Sequence, residues 1–232
     1  LFLLLAFCVI VLKYLLTGRG VMSDAFDKMY ENGLSLYDNG DYVTAVNYFF
    51  NAYQINPGHI DCIGFLADCL FKIEALEDSL KFYNMLIEQN IRDPFIFFRI
   101  GLILQKKAYE TKNKTYHQRA IKSLETAIQM NPEYTDAYYE IGREFYELGD
   151  HQDAYEAFQA VLRQDNTHAA ACSGIGDIFL GRGDTRSAIE WYKKGVAVNK
   201  SYKPVITKLV DIYLSQGDIM KAHEYWQLLG EK

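Results

Sequence analysis

The chain has 232 residues, half of them apolar and 15% aromatic, with 30 acidic against 24 basic side chains and a net charge of −6. So apolar a sequence can bury a large core, which excludes an intrinsically disordered chain. The acidic balance excludes a protein that works mainly on nucleic acid, because phosphate binding needs a basic face.

The first expected element is apolar. Leu1 to Leu12 carry no charge, Lys13, Tyr14, Leu15 and Leu16 follow, and Thr17-Gly18-Arg19-Gly20 closes the run. Sixteen helical residues reach about 24 Å, short of the ~30 Å hydrocarbon core of a bilayer, so the span is read as starting upstream of Leu1. Residues 1–20 are therefore expected to form an N-terminal apolar helix that anchors the chain in a membrane through residues 1–16. A cleavable signal is the alternative, since Gly18 and Gly20 offer a small-x-small site. Lys13 and Arg19 lie on the downstream side of the run, which favours a single-pass protein with its remainder in the cytoplasm; a periplasmic or lumenal side stays open.

Residues 21–232 are organised by one period. Gly33, Ala67 and Gly101 are 34 residues apart, as are Gly142, Gly176 and Val210. Ala45, Ser79, Ala120, Ala154, Ala188 and Ala222 form a second series, whose steps are 34 except for one of 41. Small residues at such spacing suit the crossing of two antiparallel helices. Gly40, Gly149, Gly183 and Gly217 are each followed by Asp. In each pair the glycine is expected to take the left-handed position that ends one helix, and the aspartate to cap the next. Asn56-Pro57 and Asn131-Pro132 close second helices. The units run about 26–59, 60–93, 94–134, 135–168, 169–202 and 203–232; the second lacks the turn glycine and has Ser79 for the packing alanine.

These residues resemble the tetratricopeptide repeat. Ala45-x3-Phe49 with Ala52 and Pro57, Ile141-Gly142, Ala154-x3-Phe158, Ile175-Gly176 and Ala188-x3-Tyr192 carry the likeness, which extends over about nine-tenths of the chain. It implies an all-α fold, a right-handed superhelical solenoid of about six helix-turn-helix repeats, with a binding groove lined by the first helix of each unit. Groove positions transferred from the family fall on Tyr30, Leu34 and Tyr37, on Asp61, Asp68 and Phe71, and on Phe95, Phe98 and Leu102. They continue through Tyr139, Arg143 and Tyr146 to Asp177 and Leu180. Of these, Tyr30, Tyr37, Phe95, Phe98, Tyr139, Arg143, Tyr146 and Asp177 are the candidate partner-binding residues, the alternative for each ring being packing between helices. The Asp61, Asp68 and Asp177 carboxylates read as solvated. The Lys and Asn clamp by which some relatives hold the terminal carboxylate of heat-shock chaperones does not match, because Tyr30, Leu34 and Phe65 occupy its places.

The third unit carries seven extra residues, close to two helical turns, so both its helices are expected to lengthen without turning the apolar stripe away from the core. The added segment is basic, with Lys106, Lys107, Lys112, Lys114 and Arg119 against Glu110. It reads as a docking tip for an acidic partner or anionic lipid headgroups, or else as a solvated helical end. Asn113-Lys114-Thr115 is also a glycosylation sequon.

Nothing in the sequence carries enzyme chemistry. Phosphate loops, nucleophile elbows and zinc helices are missing, and Cys8, Cys62, Cys69 and Cys172 match no metal spacing. Cys62 and Cys69 would stand about 10 Å apart on one helix, too far for a disulfide. No enzyme activity, cofactor or metal is expected. The expected function is a membrane-anchored scaffold that gathers proteins or peptide segments into a larger complex. The alternative is a permanent subunit of a membrane-associated machine, held through both faces and the C-terminal end.

Overall fold

The computed structural model describes residues 23–230, which hold twelve α-helices and no strand. They fall into two compact units that divide between Arg92 and Asp93. The first contains α1 (23–38), α2 (Tyr42–Ile55), α3 (Ile60–Lys72) and α4 (Leu76–Glu88). The second contains α5 (Pro94–Thr111), α6 (Lys114–Met130), α7 (Thr135–Leu148), α8 (His151–Gln164), α9 (Ala169–Gly181), α10 (Thr185–Val198), α11 (Lys203–Ser215) and α12 (Ile219–Gly230). Among the described residues no helix is long and apolar enough to cross a membrane. The expected apolar helix at residues 1–20 lies outside them.

Consecutive helices pair, and the pairing follows from the two small-residue series. A Cβ added to Gly142 would stand 2.7 Å from the Phe158 ring; one added to Gly176 would stand 2.4 Å from Tyr192, and one added to Gly33 would stand 2.7 Å from Phe49. Each of these rings lies 16 residues beyond its glycine and four beyond the packing alanine. The ring therefore lies flat where the glycine has no side chain, while Ala45, Ala154 and Ala188, all fully buried, let the backbones meet. In the third pair Gly101 faces Leu124 instead, at a spacing lengthened by the seven extra residues.

The joints confirm the turn chemistry. Gly40, Gly149, Gly183 and Gly217 all have φ between 75° and 86°, a region that only glycine enters without strain. In the second pair Glu74 takes that position at φ 65°, and in the third Lys112 takes it at φ 52°. Asp41, Asp184 and Asp218 cap the following helices, accepting from the backbone N–H of Thr44, Ser187 and Lys221 at 3.0–3.1 Å. Asp150 occupies the same position without a side-chain cap bond.

The extra seven residues divide between the two helices of the third pair. α5 has 18 residues and α6 has 17, where α7 and α8 have 14 each. Four more residues in one helix and three in the other extend the hairpin by about 5–6 Å, one turn. Cys62, Cys69 and Cys172 are buried free thiols, and burial raises the pKa of all three, Cys62 and Cys69 to about 12.

Candidate functional site

In the second unit the helices α7, α9 and α11 open a cleft of about 240 Å³. Tyr139, Arg143 and Tyr146 line it from α7 at a spacing of three to four residues, which sets them on one helical face. Asp177 enters from α9, Lys208 from α11, and Tyr202 from the N-cap of α11. Four residues expected in the groove, Tyr139, Arg143, Tyr146 and Asp177, thus share one cleft.

Hydrogen bonds fix the floor of the cleft. Asp177 Oδ1 accepts from the buried Tyr192 hydroxyl at 2.6 Å and from Lys208 Nζ. Tyr192 is the ring that packs on Gly176, so the carboxylate is positioned by the same side chain that holds α9 against α10. Arg143 Nη1 donates to Glu140 Oε2 at 2.9 Å, and Gln105 Nε2 donates to the same oxygen at 3.0 Å. Burial lowers the Arg143 pKa, but Glu140 and the neighbouring tyrosines outweigh it and the net shift is upward. Burial pushes Tyr139 up to about 12 and also raises Tyr146 and Tyr202. At neutral pH the wall therefore offers neutral phenols, the cations Arg143 and Lys208, and two carboxylates, Glu147 and Asp177, the latter already engaged by a lysine and a tyrosine. Such a set can grip a polar chain and its apolar side chains.

The first unit repeats part of this arrangement 109 residues earlier. Tyr30 and His59 stand at 5.0 Å between ring centroids, as do Tyr139 and His168. In both pairs the histidine caps a helix, its Nδ1 accepting from a backbone N–H at 3.1 Å, which assigns the proton to Nε2. Tyr30 and Tyr139 are therefore partly engaged in packing. Asp68 corresponds to Asp177 in the register, but it is only 3% exposed, not solvated as expected. It accepts from Tyr37 at 2.6 Å and from Tyr83 at 3.4 Å, so Tyr37 too is committed inside its unit. Asp61 is exposed.

The remaining candidates separate. Phe98 is buried in a cluster with Leu124, Ala137 and Ile141, its ring 4.9 Å from Tyr134, so it packs between helices. Phe95 is exposed, with the Arg99 guanidinium 4.7 Å from its ring centroid. Lys112 and Lys114 are exposed at the α5–α6 tip, while Lys106 and Lys107 are half-buried.

Sequence reasoning passed over Tyr202 and Lys208. Tyr202 belongs to a series of helix N-caps, His59, Asp93, Tyr134, His168 and Tyr202, that keeps the same steps of 34 and one of 41. That register was a usable signal. Lys208 has Gly174 and Glu140 at its equivalent places, so no residue type repeats there.

Two tetratricopeptide-repeat family models match the chain, one over residues 36–94 and the other over 117–169 and 139–203, together more than half of its length. No curated protein sequence matches it. Among solved structures, a tetratricopeptide repeat protein from Parabacteroides merdae superposes with a TM-score of 0.72 at 16% identity, over 87% of this chain and 77% of that one. MamA from Desulfovibrio magneticus gives 0.69 at 16%, over 77% and 97%. YrrB, described as a repeat protein with an unusual peptide-binding site, gives 0.64 at 16%, over 78% and 89%. At these identities the likeness speaks for the fold alone, an α-helical repeat stack. By its matched models and its register of helix pairs, the chain belongs to the tetratricopeptide-repeat family.

Proposed function

We propose that the chain is a protein-interaction scaffold that holds an extended peptide segment of its partner in the cleft between α7, α9 and α11. One observation carries this reading: Tyr139, Arg143, Tyr146, Tyr202 and Lys208 converge around a single 240 Å³ cleft. Aromatic rings supply contact area at low entropic cost, and the two cations fix the direction of a polar chain. The peptide-binding site of YrrB supports the reading by analogy of fold. In this proposal residues 1–16 tether the scaffold to a membrane, where it gathers parts of a larger complex.

A second reading, a permanent subunit of a membrane-associated assembly, is favoured by a different observation. Leu214, Ile219, Met220 and Trp226 on α11 and α12 are 50%, 63%, 86% and 60% exposed. Trp226 stands four residues beyond Ala222, the place where Phe158 and Tyr192 are buried in their own pairs.

A photo-crosslinking amino acid placed in turn at Arg143, Trp226 and Asp153 of the full chain separates the two readings. Capture of the native partner from Arg143, with none from Asp153 on the exposed face of α8, is the expected result. Capture from Trp226 alone moves the interface to the last helix pair and removes the cleft reading. Carbonate extraction of membranes holding the full chain tests the tether, and release into the supernatant would remove it.

A further inference from the structure

Between residues 106 and 122 stand six cations, Lys106, Lys107, Lys112, Lys114, Arg119 and Lys122, and one carboxylate, Glu110, in a chain whose net charge is −6. The fold places five of them across the last two turns of α5, the joint and the first two turns of α6, while Lys122 stands at the middle of α6. Lys107 Nζ from α5 and Arg119 Cζ from α6 lie 5.3 and 5.5 Å from the centroid of one ring, Tyr116. Arg119 and Lys122 are exposed and three residues apart, on the solvent side of α6. Between Lys112 and Lys114 the turn is held by Asn113, whose Oδ1 accepts from Thr115 N at 3.0 Å and from Thr115 Oγ1 at 2.9 Å.

Three features are unfavourable for folding alone. Lys114 begins α6, whose first turn has no acidic residue, so its charge adds to the positive end of the helix dipole. Lys112 is a non-glycine residue at φ 52°. Lys112, Lys114, Arg119 and Lys122 form no ion pair with a carboxylate among the described residues. Lys112, Lys114, Arg119 and Lys122 are thus exposed to solvent, the first two beside an ordered turn.

We propose that the α5–α6 tip docks on an anionic lipid bilayer. The surface is the blunt end of a hairpin, set with long cationic side chains. The Tyr116 ring, between Lys107 and Arg119, is apolar with one polar end. That combination suits the headgroup layer, a soft array of negative charge in which tyrosine is favoured. The apolar run at residues 1–16, read above as a tether, would bring a bilayer to the same molecule, but the tip does not depend on it.

The test uses the full chain with phosphatidylcholine vesicles, with and without phosphatidylserine, and follows amide hydrogen exchange over residues 106–122. The expected result is slowed exchange with phosphatidylserine only, abolished by high salt. The triple variant Lys112→Gln, Lys114→Gln, Arg119→Gln should lose about a hundredfold in the phosphatidylserine-dependent component, each cation near the surface being worth roughly fivefold. Exchange over α9 and α11 should not change; if it does, Lys112→Gln with Lys114→Gln serves in its place. Co-sedimentation with neutral vesicles reports the tether separately, so the two readings fail independently. Equal protection in neutral vesicles, no protection in anionic ones, or full protection in the variants would overturn the proposal. So would protection by soluble polyglutamate where anionic vesicles give none, which would assign the tip to an acidic protein.

Discussion

Replacing Gly176 with alanine tests the link between the repeat register and the cleft. The new Cβ would stand 2.4 Å from Tyr192 Cε1 and 2.6 Å from Cδ1, where ordinary contact begins near 3.4 Å. The ring must retreat by about 1 Å, yet it is fully buried and its hydroxyl is held by Asp177 at 2.6 Å. Overpacking of this kind costs about 1–3 kcal/mol, and weakening a hydrogen bond to a charged acceptor adds about 1–2 kcal/mol. Against this, alanine in place of glycine inside a helix returns about 1 kcal/mol. The net loss is about 1–4 kcal/mol, or a melting temperature lowered by roughly 2–16 °C for a chain of this size. Gly64 in α3 has nothing within 4 Å of its added Cβ, so Gly64→Ala should gain up to about 1 kcal/mol. Thermal unfolding followed by circular dichroism compares the two. Gly176→Ala melting at or above the wild type would show that ring and glycine do not set the helix crossing.

The other packing and polar contacts give sharper single-site expectations. Ala188→Leu, at a fully buried crossing, should cost about 1–3 kcal/mol, and unchanged melting would show the register is misread. Tyr37→Phe removes the 2.6 Å donor to buried Asp68 and should cost about 1–3 kcal/mol, measurable by urea unfolding. Glu144→Gln should stabilise the fold above the ordinary carboxylate range and should flatten its pH dependence.

Much of the fold was legible because the repeat constrains residue types at contacts. Gly142 with Phe158 and Gly176 with Tyr192 each fill one space between paired helices, so the spacing recurs even where the rest of a unit differs. The seven-residue insertion was legible for the same reason, since two turns return the stripe to its own side. The candidate site was less so. Tyr30 and Tyr139 share one register place, as do Tyr37 and Tyr146, and sequence cannot say which hydroxyl is taken by a neighbour. Tyr37 donates to Asp68, whereas Asp177 takes its bonds from Tyr192 and Lys208. Phe98 likewise reads as a groove ring but faces Tyr134 and Leu124. Partner choice at these places depends on pairs far apart in sequence, and the pattern within one helix does not encode it.

Glu144 shows how a polar contact ties the basic hairpin to the helix that carries the cleft. Its side chain is fully buried on α7, and its Oε2 meets His117 Nδ1 of α6 at 2.8 Å. Tyr109 of α5 packs edge-on against the same imidazole at 5.5 Å. Burial raises the carboxyl pKa above 4.5; Gln105, His117 and Arg143 pull it back, but not fully. A group whose folded pKa is raised holds its proton longer in the folded state than in the unfolded one. Its contribution to stability is complete below the unfolded value and declines as pH rises from about 4.5 through the folded value. Glutamine keeps the shape and a hydrogen-bonding group toward His117 but does not titrate. The stability difference between Glu144→Gln and the wild type should therefore be small at pH 4. It should grow through the window above 4.5 and then level off, with the variant the more stable form. Urea unfolding at a series of pH values reads that difference directly. A difference that is flat with pH would mean that the carboxyl titrates alike in the folded and unfolded chain, and one that favours the wild type increasingly as pH rises would mean that Glu144 is stabilised as a carboxylate. The His117 contact would then act as an ion pair clamping α6 to α7.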